Sequence, residues 1–260
     1  MTQQMPDGPQ TATAAFSIAG DHWRFEGRAT VPVGPTRVDT MLPLARSISD
    51  RIVLETSRAV EAAGERVSCR KGCGACCRTL VAVSEIEARR IRALLEALPE
   101  PRRSEIRARF ADAERRLEQA GLLERLRHPE TLTGQEYDDL MSPYFQLGIP
   151  CPFLEQESCS IYAERPITCR EFLVTSPAEH CARVDSADVV RVRLPLRVFN
   201  AVARWNVPAS DHVRERWVPL TLAPRWAEAH PEEPPPRPGT ELLEEFLRHL
   251  SAKREAPEAE

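Results

Sequence analysis

The sequence predicts a mainly α fold with a small β portion, a single domain built around a cysteine-rich centre. Three observations lead there. Apolar residues recur at helical spacing along most of the chain, strand-like alternation is confined to two short stretches, and the eight cysteines fall in two groups of four. At 260 residues and 42% hydrophobic content the chain can bury a core, which excludes wholesale disorder; collagen-like, coiled-coil and mucin-like compositions are also excluded. The net charge of −4 is far from the basic balance of a general nucleic-acid binder. Twenty-three prolines predict many breaks and turns.

The elements follow in order. Residues 1–14 are polar and are expected to be disordered. Phe16 and Ile18 alternate, Gly20-Asp21 offers a turn, and Trp23 and Phe25 follow, so residues 15–33 read as a short hairpin. From Met41 to Ala63, residues Ala45, Ile48, Ile52, Ala59 and Ala63 share a helical face, and Gly64 stands where a helix-ending glycine belongs. Ser84 to Glu87 is a capping-box signature that opens a helix ending at Pro99 and Pro101. A second helix carries Ile106, Phe110, Ala113 and Leu117 and stops near Gly121, and a third covers 134–146. Residues 189–194 alternate like a strand, whereas 196–206 and 213–230 read as helical. Residues 231–239 form a proline-rich linker, and the amphipathic closing helix is expected to lie outside the metal core with the rest of 231–260. Residues 15–230 would then form the metal-binding domain.

The cysteines carry the chemistry. Cys69-x3-Cys73-x2-Cys76-Cys77 places four sulfurs in nine residues, with Gly72 and Gly74 arguing for a loop. Cys151, Cys159, Cys169 and Cys181 supply four more in a segment rich in proline and glycine. Short fixed spacings of thiolates are what a soft metal requires. The N-terminal residues show neither a cationic nor an apolar signal region, and no run approaches the ~18 apolar residues of a spanning helix, so the expected location is cytoplasmic. Thiols stay reduced there, which favours metal ligation over structural disulfides. The eight sulfurs suit two four-cysteine zinc sites, two [4Fe–4S] clusters, or one cluster and a separate centre. Adjacent Cys76 and Cys77 cannot easily serve one tetrahedral ion together with both neighbours. The second group, with seven, nine and eleven intervening residues, is too loose for a self-contained knuckle. Ligands are therefore expected to cross between the groups.

The first group, followed by Cys151-Pro-Phe-Leu, Cys159-Ser-Ile-Tyr162, Arg165-Pro166 and Cys169-Arg170-Glu-Phe172, resembles the YkgJ-type cysteine-cluster family over roughly residues 65–182. The resemblance implies a zinc- or iron-chelating domain with eight cysteine ligands; Cys181 fits the eighth position less closely. Some longer relatives of that family are implicated in methylating lysines of flagellin. Arg165 and Arg170 are the candidate cofactor-binding groups, as cations that compensate bundled thiolates. Arg78 and Lys71 read as ordinary surface cations, Tyr162 and Phe172 as packing around the site, and His180 as an ordinary histidine rather than a ligand. The spacing of Cys69, Cys73 and Cys76 is also that of radical S-adenosylmethionine enzymes, but two successive helices follow it here instead of alternating strands and helices. Gly-rich phosphate loops and the usual hydrolase and metalloprotease motifs are absent. Eleven arginines against seven carboxylates in 88–127 read as a solvated mixed-charge face.

The expected function is a metal-binding protein that holds an iron–sulfur cluster or zinc through the eight cysteines, in a structural or electron-transfer role, with iron–sulfur ahead of zinc. An iron–sulfur-dependent protein-modifying enzyme, such as a protein-lysine methyltransferase, and a zinc-stabilised protein-interaction module are the alternatives. The expected partners are the metal or cluster and a protein; neither a membrane nor nucleic acid is expected.

Overall fold

The computed structural model describes residues 10–183, 188–205 and 216–252. Strands β1 (Thr11–Ala19) and β2 (Arg24–Pro32) pair antiparallel with Ile18 opposite Phe25 and Thr13 opposite Thr30. Only one face is buried, chiefly through Ile18, Phe25, Ala29 and Val31, which produces the alternation seen in the sequence. The expected disordered N-terminus is corrected in part. Residues 1–9 lie outside the described residues, but Thr11–Ala14 belong to β1, because ladder hydrogen bonds to Ala29–Pro32 satisfy a backbone whose side chains are polar or small.

After β3 (Pro35–Thr36), α1 (Leu42–Ala62) buries Leu42, Ala45, Ile48 and Ile52. It ends in a Schellman motif: Gly64 at φ +87° donates to Glu61 and Glu65 donates to Val60. β4 (Ala82–Ser84) leads directly into α2 (Glu85–Ala97), with the capping box formed reciprocally by Ser84 and Glu87. α3 (Arg102–Gln119) buries Ile106, Phe110, Ala113 and Leu117, and α4 (Leu123–Arg127) follows. α5 (Gly134–Gln146) begins with a second capping box, Thr133 with Glu136. β5 (Leu154–Glu155) and β6 (Ser158–Cys159) form a minimal hairpin whose two turn residues, Gln156 and Glu157, both have positive φ. α6 (Ile167–Glu171) and α7 (Val198–Ala203) are short. β7 (Trp217–Pro219) pairs with β4, α8 (Ala223–Ala229) follows, and β8 (Arg237–Pro238) pairs with β3 before α9 (Gly239–Ser251). The fold is mainly α with small two-stranded sheets, as the sequence predicts.

Three elements differ from expectation. Residues 189–194 make only an isolated bridge, Val174 with Arg191, flanked by hydrogen bonds from Thr175 to Val190 and from Val192 to Leu173. Pro177 and Pro195 bound the two segments, and neither can extend the ladder by donating an N–H. The stretch 213–230, expected as a helix, contains β7 and only then α8, while 206 and 213–215 lie outside the described residues. The closing helix is not peripheral. Leu242, Leu243, Phe246 and Leu250 are buried against β2, α1 and α7, and the Trp205 indole donates to the Leu242 carbonyl at 3.0 Å. At Gly239 a Cβ would stand 2.5 Å from the Pro32 carbonyl oxygen, so the helix start is pressed against the end of β2. Four apolar residues on one face of α9 find enough apolar surface on their own chain to dock there.

The buried residues form three clusters. One joins the hairpin, α1, α7 and α9; a second joins α2, α3 and α8; a third joins the end of α3 to α4 and α5. Each cysteine-bearing segment is pinned to a different cluster by an apolar residue close to a cysteine. Ile167 enters the first, Phe153 the second, and Leu80 and Ile149 the third. The cysteine loops therefore meet where the three clusters adjoin.

Candidate metal centre

The first cysteine loop lies across the second. The Cys151 amide donates to the Cys77 carbonyl at 2.7 Å, and the Ser68 amide donates to the Val174 carbonyl at 2.9 Å. The Cys69 thiol lies 3.7 Å from the Phe172 carbonyl that accepts from it. Gly74 is required by this approach: a Cβ there would come within 2.7 Å of Leu154, 2.8 Å of the Glu157 carboxylate and 2.9 Å of the Glu157 carbonyl. Arg78 closes the contact by donating to Gly74 and forming a 2.6 Å ion pair with Glu157.

All eight cysteines carry free thiols. Cys76 is a neighbour of six of the others. It shares a hydrogen bond with Cys77, and its charge raises the thiols of Cys69, Cys151, Cys159, Cys169 and Cys181. The hydrogen bond with Cys77 and burial hold Cys76 itself far above the ordinary thiol range. Burial pushes Cys151 up to about 12 and Cys181 up to about 11, and raises Cys69, Cys159 and Cys169 as well. Neighbouring thiols add to burial in each case: Cys151 and Cys159 act on Cys169, and Cys69 and Cys73 act on Cys181. These are groups whose ionised form the protein alone disfavours and a bound cation would favour. Among the described residues no three His, Cys, Asp or Glu side chains stand in single-ion geometry.

A cavity of about 1580 Å³ opens beside the thiols and is walled by Cys73, Cys76, Cys77, Cys151, Cys159 and Cys169. Cys69 and Cys181 stand outside its wall. Arg165 faces the cavity. Its guanidinium lies 4.2 Å from the centre of the Tyr162 ring, it favours ionisation of Cys69, Cys76 and Cys159, and its buried Nε has no hydrogen-bond partner among the described residues. Arg170, like Arg165, favours ionisation of Cys159, but it stands behind the cavity wall. It is 6% exposed, donates to both Asp50 oxygens at 2.7 Å, and holds the carbonyls of Ala163 and Arg165. It fixes the turn that presents Arg165 and does not line the cavity. The sequence carried no sign of this, since Asp50 lies 120 positions away.

Lys71 lies over the Tyr162 ring and Arg191 over Phe172, so both rings pack against cations at the cavity. His180 points elsewhere, with Nδ1 3.2 Å from the Asp188 carbonyl. Two further carboxylates position the site. One oxygen of Glu87 completes the capping box and the other accepts the Ile167 amide at 2.8 Å, tying the start of α2 to the start of α6, which carries Cys169. Glu164 accepts from Arg46 of α1 at 2.5 Å and Arg90 of α2 at 3.3 Å. The capping box was visible in the sequence, but its second contact was not.

No helix of the described residues is long and apolar enough to cross a membrane. Residues 68–186, just under half of the chain and including all eight cysteines, match a family model with the signature CxxCxxCC described as "Putative zinc- or iron-chelating domain". No curated protein and no solved structure matches the chain. Eight free thiols fit the chemistry of that description, and residues 68–186 are similar to the cysteine-cluster domains it covers.

Proposed function

We propose that the protein holds an iron–sulfur cluster through thiolates drawn from both cysteine groups, in a structural or electron-transfer role in the cytoplasm. The observation that carries this is the position of Cys76, which is felt by cysteines of both groups. A structural zinc takes four ligands about 2.3 Å from one ion. Six other thiols in the electrostatic neighbourhood of Cys76 suit a polynuclear cluster better, because each iron takes its own thiolate. Cys73, Cys76, Cys77, Cys151, Cys159 and Cys169 at the cavity wall are the residues that would hold it, with Cys69 and Cys181 behind them. Such a cluster supplies reversible one-electron chemistry or a cross-link between loops. Arg165 would offset the charge of the bundled thiolates, and Arg170, Glu87 and Glu164 keep the cysteine-bearing segments in register.

The test is anaerobic purification with elemental analysis and an absorption spectrum. Stoichiometric iron with broad visible absorption is expected. Colourless protein with stoichiometric zinc from iron-replete cells would assign the centre to zinc, and metal-free protein of unchanged fold would reject the metal reading.

A further inference from the structure

The cavity runs past the thiols to a wall formed by Tyr137 and Trp217, whose rings meet edge to face at 5.0 Å. Its described lining holds five arginines (Arg70, Arg165, Arg191, Arg197 and Arg204) against two carboxylates, Glu130 and Asp138, in a chain of net charge −4. Several arginines outside the cavity share a carboxylate: Arg46 and Arg90 share Glu164, Arg102 and Arg109 share Glu155, and Arg127 and Arg225 share Glu114. Among the described residues Arg191 has no carboxylate partner, and its guanidinium rests 5.1 Å from the centre of the Phe172 ring. Arg197 is held by one edge only: its Nε donates at 3.0 Å to the fully buried carboxylate of Glu171, which also accepts the Val198 amide at the start of α7. Stacking on a ring and anchoring through Nε fix two guanidiniums while leaving donors of each unpaired among the described residues. The Asn200 amide lines the same cavity.

We propose that this end of the cavity binds a small molecule carrying an oxyanion, a phosphate or a carboxylate, on Arg191 and Arg197, with an aromatic or other planar body along Tyr137 and Trp217. Planar, bidentate recognition of such groups is what guanidinium does best, and the volume exceeds what a lone ion fills. The site is adjacent to the thiols but needs no metal, so it stands apart from the cluster assignment.

The experiment is calorimetric titration of the full chain as purified, with its metal content recorded, using inorganic phosphate and phenyl phosphate in one arm and acetate and benzoate in the other. Saturable binding is expected in one arm, which identifies the oxyanion, and the aromatic probe should bind more tightly than its bare anion. Arg191→Gln should weaken binding by about tenfold, the size of one charge-assisted hydrogen bond, with metal content unchanged. Arg58→Gln, an equal change of charge on the exposed face of α1, should leave affinity unaltered. Tyr137→Ala should remove the preference for the aromatic probe. Absence of saturable binding for all four probes, or equal effects of the Arg191 and Arg58 variants, would overturn the proposal. Loss of metal with binding retained would instead count against the cluster alone.

Discussion

The helical body and the cysteine loops are held together by different forces. In the body, α1, α7 and α9 bury long apolar side chains: Ile52 and Phe246 are both fully buried. In the loops, Cys69, Cys73, Cys76, Cys77, Cys151, Cys159 and Cys169 are only partly buried, and their segments are stitched by single backbone hydrogen bonds such as that from Cys151 to Cys77. Apolar burial is the main force holding the body. The loops gain their remaining order from what the thiols bind, since metal affinity in such sites is also folding free energy, on the order of 10 kcal/mol for structural zinc.

That contrast is sharpest when the two thiol groups are broken in turn. Cys73→Ser and Cys169→Ser should each remove most of the metal and lower thermal stability similarly, while helical circular dichroism persists. The double variant should be far less than additive. Independent losses of half the metal from each variant would mean two separate sites. The reverse disruption is Phe246→Ala. It should cost about 3–5 kcal/mol of stability by leaving a cavity in the first apolar cluster, read by denaturant unfolding, and removal of 231–260 should leave the protein insoluble. A truncated chain that stays soluble and keeps its metal would return α9 to the periphery.

Gly74→Val tests the junction of the two loops. Its Cβ would collide with Leu154 and with the Glu157 backbone, which cannot rotate away, so a cost of about 1–3 kcal/mol and a lower metal stoichiometry are expected. The smallest effect concerns Glu164. Burial raises its pKa, but hydrogen bonds from Arg46 and Arg90 prevail and hold it below the ordinary carboxylate value. A depressed folded-state pKa stabilises above the unfolded value and is lost as pH falls through the folded one. Its side chain is 35% exposed, so solvent screens the pairs, and Glu164→Gln should cost no more than about 1 kcal/mol at neutral pH. The deficit should shrink as pH falls below the ordinary glutamate value of about 4.3 and vanish once pH passes below the lowered folded-state value, and a deficit that persists in acid would mean the residue acts by packing.

Much of the local structure was legible in the residues. The Ser84 capping box, the glycine stop at Gly64 and the Ile106–Leu117 face each depend on groups within a few positions, and each stands where the spacing placed it. The alternation at 189–194 misled because a strand needs a partner long enough to pair with, and Leu173–Thr175 offers only three residues before Pro177. The amphipathic face of α9 was plain, but amphipathicity does not name the surface that covers it.

By itself the sequence determined α1, α2, α3 and α5 with the caps at Gly64 and Ser84, the hairpin, and two clusters of thiols at spacings a soft metal would demand. Those features follow from backbone sterics and from bonds between near neighbours. Only the tertiary structure decided that Cys76 faces thiols from both groups, that Arg165 faces the cavity while Arg170 is taken by Asp50, and that Glu87 reaches across to the Ile167 amide. The Glu87 and Arg170 contacts join positions 80 and 120 residues apart. They depend on how three apolar clusters pack against one another, a collective outcome that no local pattern encodes.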